Sequence, residues 1–78
     1  MKIIFTKHSK EMILHRDIDK KLIRECALTP DMIVDGDDDK KIYLKNFGKN
    51  YLKLVIALES NGLVIITAHW LAKKRVKL

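Results

Sequence analysis

Tyr51-Leu-Lys-Leu-Val-Ile-Ala-Leu-Glu-Ser-Asn-Gly-Leu-Val-Ile-Ile-Thr-Ala-His-Trp70 is the stretch on which the fold turns. Two runs rich in β-branched and aromatic residues flank Glu59-Ser-Asn-Gly62, the pattern of a β-hairpin. Asn61-Gly62 is the preferred pair for a type I′ turn, whose two central residues both need positive φ. With that turn as the loop, Ser60 faces Leu63, Ile56 faces Thr67 and Leu54 faces His69. One face of the ribbon then carries Leu54, Ile56, Leu58, Ile65, Thr67 and His69, and the other Lys53, Val55, Ala57, Val64, Ile66, Ala68 and Trp70. Both faces are apolar in the middle, which suits central strands covered on part of both sides.

Outward from the hairpin, Lys2-Ile-Ile-Phe-Thr6 reads as a first strand. Ser9 is placed to cap a short helix from Lys10 to about His15, with Met12 and Ile13 inward. Arg16-Asp17 reads as a corner, and Asp17 or Asp19 as the cap of a second helix. Ile18, Leu22, Ile23 and Cys26 share one face of that helix at helical spacing. Pro30 ends it by pushing Thr29 to an extended conformation. Met32-Ile-Val34 starts a strand, Asp35-Gly-Asp-Asp-Asp39 is a loop, and Lys40 to Phe47 returns as a strand into the hairpin. The expected architecture is α+β, in the order β-α-α-β-β-β, an antiparallel sheet with the two N-terminal helices packed on one face. There is no internal repeat and no linker, so residues 1–78 read as a single domain.

A chain of 78 residues buries roughly 60% of its unfolded surface. Its core supplies only about 3–5 kcal/mol, so a homo-oligomer or a partner subunit is compatible with it. The apolar runs are strand-length, far below a membrane span, and the first five residues are too short to act as a signal peptide. One cysteine excludes an intrachain disulfide, and a reducing, cytoplasmic location is the default.

The formal net charge is +6 and the sequence pI about 9.6, in the range of nucleic-acid-binding domains. An acidic protein partner, or general solubility, also fits that balance. Positions 35–39 hold four aspartates and no base, positions 40–53 five lysines and no acid, and positions 71–78 three lysines and Arg75 with no acid. Lys40, Lys41, Lys45, Lys53, Lys73, Lys74, Arg75 and Lys77 can hold a nucleic-acid backbone, with Tyr43, Phe47, Tyr51 and Trp70 near enough in sequence to stack on bases. The plainer alternative is a solvated lysine surface with the aromatics in the core. His69, with Arg75 following, is suited to acid–base work on a ribose 2′-hydroxyl beside a charge-stabilising cation; otherwise it simply finishes the strand. His8 and His15 stand too far apart for a helical metal pair. Cys26 reads as a small core residue. The aspartate cluster fails the EF-hand pattern, which needs Gly and Glu where Lys40 and Asn46 stand. No metal site and no cofactor is expected.

Two segments resemble the small toxins of the RelE/ParE superfamily, most nearly its BrnT-like branch and related uncharacterised domains. His15-Arg-Asp-Ile-Asp, then a helix and Thr29-Pro-Asp31, is similar to a Lys-His-Gly-Ile/Val corner, helix and Asp/Asn-Pro step. Val64-Ile-Ile-Thr-Ala-His-Trp-Leu-Ala-Lys-Lys-Arg75 is similar to a final Ile-Ser-Ala-Arg strand with a basic helix start. The resemblance implies a metal-independent endoribonuclease acting on mRNA, at the ribosome or on free RNA, and neutralised by an antitoxin protein. It places Thr67 where the motif has Ser and His69 where it has Arg, with Lys73, Lys74 and Arg75 as the following basic residues. The site residues it implies are His69, Thr67 and Arg75 for catalysis, and Lys41, Lys45, Lys53, Lys73, Lys74 and Lys77 for RNA. Asp17 replaces the corner glycine. Histidine cannot make arginine's bidentate phosphate grip, but it can transfer a proton. The competing expectation is a non-enzymatic basic module that binds RNA, DNA or an acidic protein.

Overall fold

The structure is a computed structural model and describes residues 2–72. The hairpin forms as β4 (Asn50–Glu59) and β5 (Gly62–Ala72), the longest strands of the chain. Before it come β1 (Lys2–Phe5), α1 (Lys7–His15), α2 (Lys20–Leu28), β2 (Met32–Asp35) and β3 (Lys41–Asn46). The α+β class stands, with four strands after the helices. The sheet order is β1-β5-β4-β3-β2, antiparallel except that β1 lies parallel to β5.

The turn differs from expectation. Glu59 pairs with Gly62, so the loop is Ser60-Asn61, and none of Ser60, Asn61 and Gly62 has positive φ. Gly62 serves a different purpose. A Cβ there would stand 2.2 Å from the Lys2 carbonyl oxygen, so the missing side chain is what lets β1 close on β5. The pairing then shifts by one residue further along. Ile56 pairs with Ile65 but Val55 with Thr67, leaving Ile66 as an extra residue on β5, a β-bulge that exchanges the faces of everything beyond it. Thr67 therefore faces Val55, and His69 faces Lys53 rather than Leu54.

Both helices lie on one face of the sheet. Ile13, Ile18, Ile23, Cys26 and Ala27 pack with Tyr43, Leu52, Leu54, Ile56, Leu63, Ile65 and Ala68 in one buried cluster. Thr6, not Ser9, caps α1: its hydroxyl accepts from the Ser9 amide at 3.0 Å, and the Ser9 hydroxyl, fully buried, donates back to the Thr6 carbonyl at 3.0 Å. The helix accordingly starts at Lys7. α1 ends on Asp17, which has φ 52. The Asp17 amide donates to the Leu14 carbonyl and the Ile18 amide to that of Ile13, the paired bonds of a Schellman ending. Ile18 and Ile13 both enter the core, so this ending turns the chain and seals it at once. Asp19 caps α2 through a 2.8 Å bond from the Lys21 amide.

Candidate functional site

The register assigns the opposite face of the sheet to Ile4, Ile42, Leu44, Tyr51, Lys53, Val55, Val64, Thr67, His69 and Leu71. No described helix or strand packs on it. Leu44 and Tyr51 are nevertheless buried, and they stand apart from the helix-side cluster. The helices take one side only, yet the burial of Leu44 and Tyr51 means that part of the other face is shielded too, in keeping with the apolar middle of both faces.

Lys53 on β4 and His69 on β5 are directly opposite cross-strand partners on this face, with Thr67 two residues from His69 on the same side and Tyr51 diagonal to it. Cross-strand partners have Cβ atoms only about 4.5–5.5 Å apart. The regular hairpin register keeps Lys53 and His69 on different faces; the bulge at Ile66 brings them together. Both are half-buried. Burial lowers the imidazole pKa from its ordinary value, the Lys53 ammonium lowers it further, and the Arg16 guanidinium adds to this. At neutral pH the ring is therefore neutral, a proton acceptor beside a fixed cation and a hydroxyl.

The other expected site residues separate. Lys41 is paired with Asp35, which raises the ammonium's pKa and lowers the carboxylate's, chiefly through their hydrogen bond. Lys45 donates to the Thr29 carbonyl at 2.7 Å and stands 4.0 Å from Asp31, fastening the segment after α2 to β3. The register puts Lys41 and Lys45 on the helix side with Ile56 and Leu52, away from Lys53. Lys73, Lys74, Arg75 and Lys77 lie outside the described residues. Of the aromatics, Tyr43 is in the core, and Phe47 meets Trp70 edge-on at 6.0 Å between ring centres.

Cys26 is fully buried, its Sγ 3.8 and 3.7 Å from the Tyr43 and Leu52 carbonyl oxygens. Burial pushes its thiol pKa up to about 12, which keeps it protonated and inert. Among the described residues no group of three or more His, Cys, Asp or Glu is arranged to hold a metal ion, and no helix is long and apolar enough to cross a membrane.

Sequence reasoning missed Arg16. Its guanidinium donates to the Ala68 carbonyl at 2.8 Å, the peptide immediately before His69. Its place at the corner between two helices was readable; its reach across to the last strand was not.

Lys53 and His69 thus form a cross-strand pair on the sheet face away from the helices. A family model described as "Domain of unknown function (DUF4258)" matches residues 5–70, and the chain belongs to that family. No curated protein and no solved structure matches it significantly.

Proposed function

We propose that this protein is a toxin-like, RNA-directed module, a metal-independent endoribonuclease acting on mRNA in the cytoplasm and held in check by an antitoxin protein. The observation that supports the reading is the Ile66 bulge, which sets a neutral His69 opposite Lys53 and beside Thr67 on the face away from the helices. In-chain RNA cleavage joins the 2′-oxygen to phosphorus and breaks the bond to the 5′-oxygen. It needs a base for the 2′-hydroxyl, a cation for the charge on the phosphoryl oxygens, and a proton for the departing 5′-oxygen, which the imidazolium formed in the first step can return. His69 fills the first role and Lys53 the second, with the Thr67 hydroxyl as a further donor.

Mapping RNA 5′ ends in a cell-free translation reaction tests this. Wild-type protein should create new ends that disappear in His69→Ala and fall at least roughly tenfold in Lys53→Gln, the usual scale for loss of one acid–base or electrostatic group. Ends that persist in His69→Ala reject the base. No new ends reject the nuclease and leave the second reading, a non-enzymatic module that docks RNA or an acidic protein. The half-buried apolar side chains around the pair, Ile42, Val55 and Leu71, favour that alternative.

A further inference from the structure

β1 covers only part of β5. Its last rung pairs Phe5 with Ile65, and there the chain leaves the sheet for α1 at Thr6. β5 continues to Ala72, so beyond Ile65 no described strand lies on that side. The Ile66 bulge falls at this point, where a ladder is already interrupted and slippage by one residue would return His69 to the other face. What meets the bare edge is Arg16. It is the C-cap residue of α1, held there by the Schellman ending that follows. Its guanidinium donates to the Ala68 carbonyl at 2.8 Å, and the same nitrogen lies 2.9 Å from the Met12 sulfur, so the side chain is braced from its own helix.

We propose that Arg16 is a positioning residue for the site on the far face: by gripping the Ala68 carbonyl where β1 ends, it locks the bulged register that sets His69 opposite Lys53. The guanidinium never enters that face. It acts through the Ala68–His69 peptide, and its charge adds to that of Lys53 in disfavouring imidazolium. Among the described residues, the charged and titratable groups around the ring are Lys53 across the strands, Tyr51 diagonally, and Arg16 from the corner between the helices. This role rests on the functional reading of the site, but the geometry it concerns is present whether or not RNA is cleaved.

The test is NMR on the full chain, with Arg16→Gln and Arg16→Lys beside wild type. In Arg16→Gln the His69 ring should titrate at higher pH, and backbone amides of residues 67–69 should exchange with solvent roughly tenfold faster than in wild type, as expected when a charge-assisted bond guarding a local opening is removed. Exchange in α2 should be unchanged. Arg16→Lys keeps the charge without the fork, so the ring should titrate near its wild-type pH while exchange at 67–69 remains accelerated. Lysine also carries the test should the glutamine variant not fold. Wild-type exchange at 67–69 in the folded variants overturns the proposal, as does acceleration spread evenly over the molecule. If the local changes appear and wild type cuts no RNA, the nuclease reading fails and the positioning role stands.

Discussion

Asp17 sits in the left-handed region at φ 52 and is exposed, closing α1 where glycine is the usual residue. Aspartate tolerates that conformation better than most residues but still at a cost of up to about 1 kcal/mol. Asp17→Gly should therefore raise stability by about 0.5–1 kcal/mol, less the entropy glycine adds to the unfolded chain, read as an upward shift of the urea midpoint at constant slope. His69 sets a second expectation. Its folded-state pKa lies below the ordinary histidine value because of burial, Lys53 and Arg16. The unfolded chain then binds the proton more readily, so His69's contribution is intact above about pH 6.5. It declines as pH falls from there to the lower folded-state pKa, below which both states are protonated and the loss is complete. In His69→Gln the stability–pH curve should lose this slope; an unchanged slope would assign the acid sensitivity to other groups.

At the level of elements, what could be read in the chain is what periodicity and caps encode. The second helix and its apolar Leu22, Ile23 and Cys26 follow from spacing; the choice of Asp19 over Asp17 as its cap, and the place of Ile18 in the turn before it, come from the structure. The hairpin strands follow from their β-branched runs. The turn and the bulge do not. Two physical demands compete for Gly62. As a turn residue it would favour positive φ, and as a strand residue it admits Lys2 of β1 at a distance that no side chain tolerates. The close approach decides, and local sequence carries no sign of it because Lys2 is remote from the hairpin in the chain. Moving the turn by one residue leaves every side chain on its face; the bulge at Ile66 alone exchanges the faces beyond it and brings Lys53 and His69 together, against the regular hairpin pattern. Gly62→Ala should cost roughly 1–3 kcal/mol, the range for overpacking where backbone must move. Chemical-shift changes should centre on residues 2–5 and leave β2 and β3 undisturbed. Gly48 is the contrasting case: it has φ 90, and a Cβ added there would meet nothing within 4 Å, so alanine at that position faces backbone strain alone.

For the whole molecule, charge and sheet divide unevenly. Five lysines between positions 40 and 53 look like one patch in sequence, yet pleat alternation sends Lys41 and Lys45 to the helix side and Lys53 to the other, while the ion pairs at Asp35 and Asp31 engage the first two. The net charge of +6 still predicts long-range attraction for RNA. Its binding should weaken steeply with salt, and Lys53→Ala should lower the slope of log affinity against log salt by about 1. Lys41→Ala should change that slope less, since its charge already has a carboxylate beside it. Equal effects of the two substitutions would mean that RNA does not distinguish the faces.

The parallel contact between β1 and β5 also gives the molecule a history. Lys2 through Phe5 are synthesised before every other strand of the sheet, yet their partners, Gly62 through Ile65, open the last strand described. Every other sheet pairing joins strands adjacent in the chain. During translation the helices and the β2–β3–β4 meander can assemble in succession, while the initial strand waits with one long edge unsatisfied. This topology predicts that closure comes late, because a loop of nearly the whole domain must be ordered to make it. Closure is also the event that places Thr6 and α1, and so brings Arg16 to the carbonyl it grips. On that order the pairing of Lys53 with His69 would reach its final geometry only once the first strand has met β5.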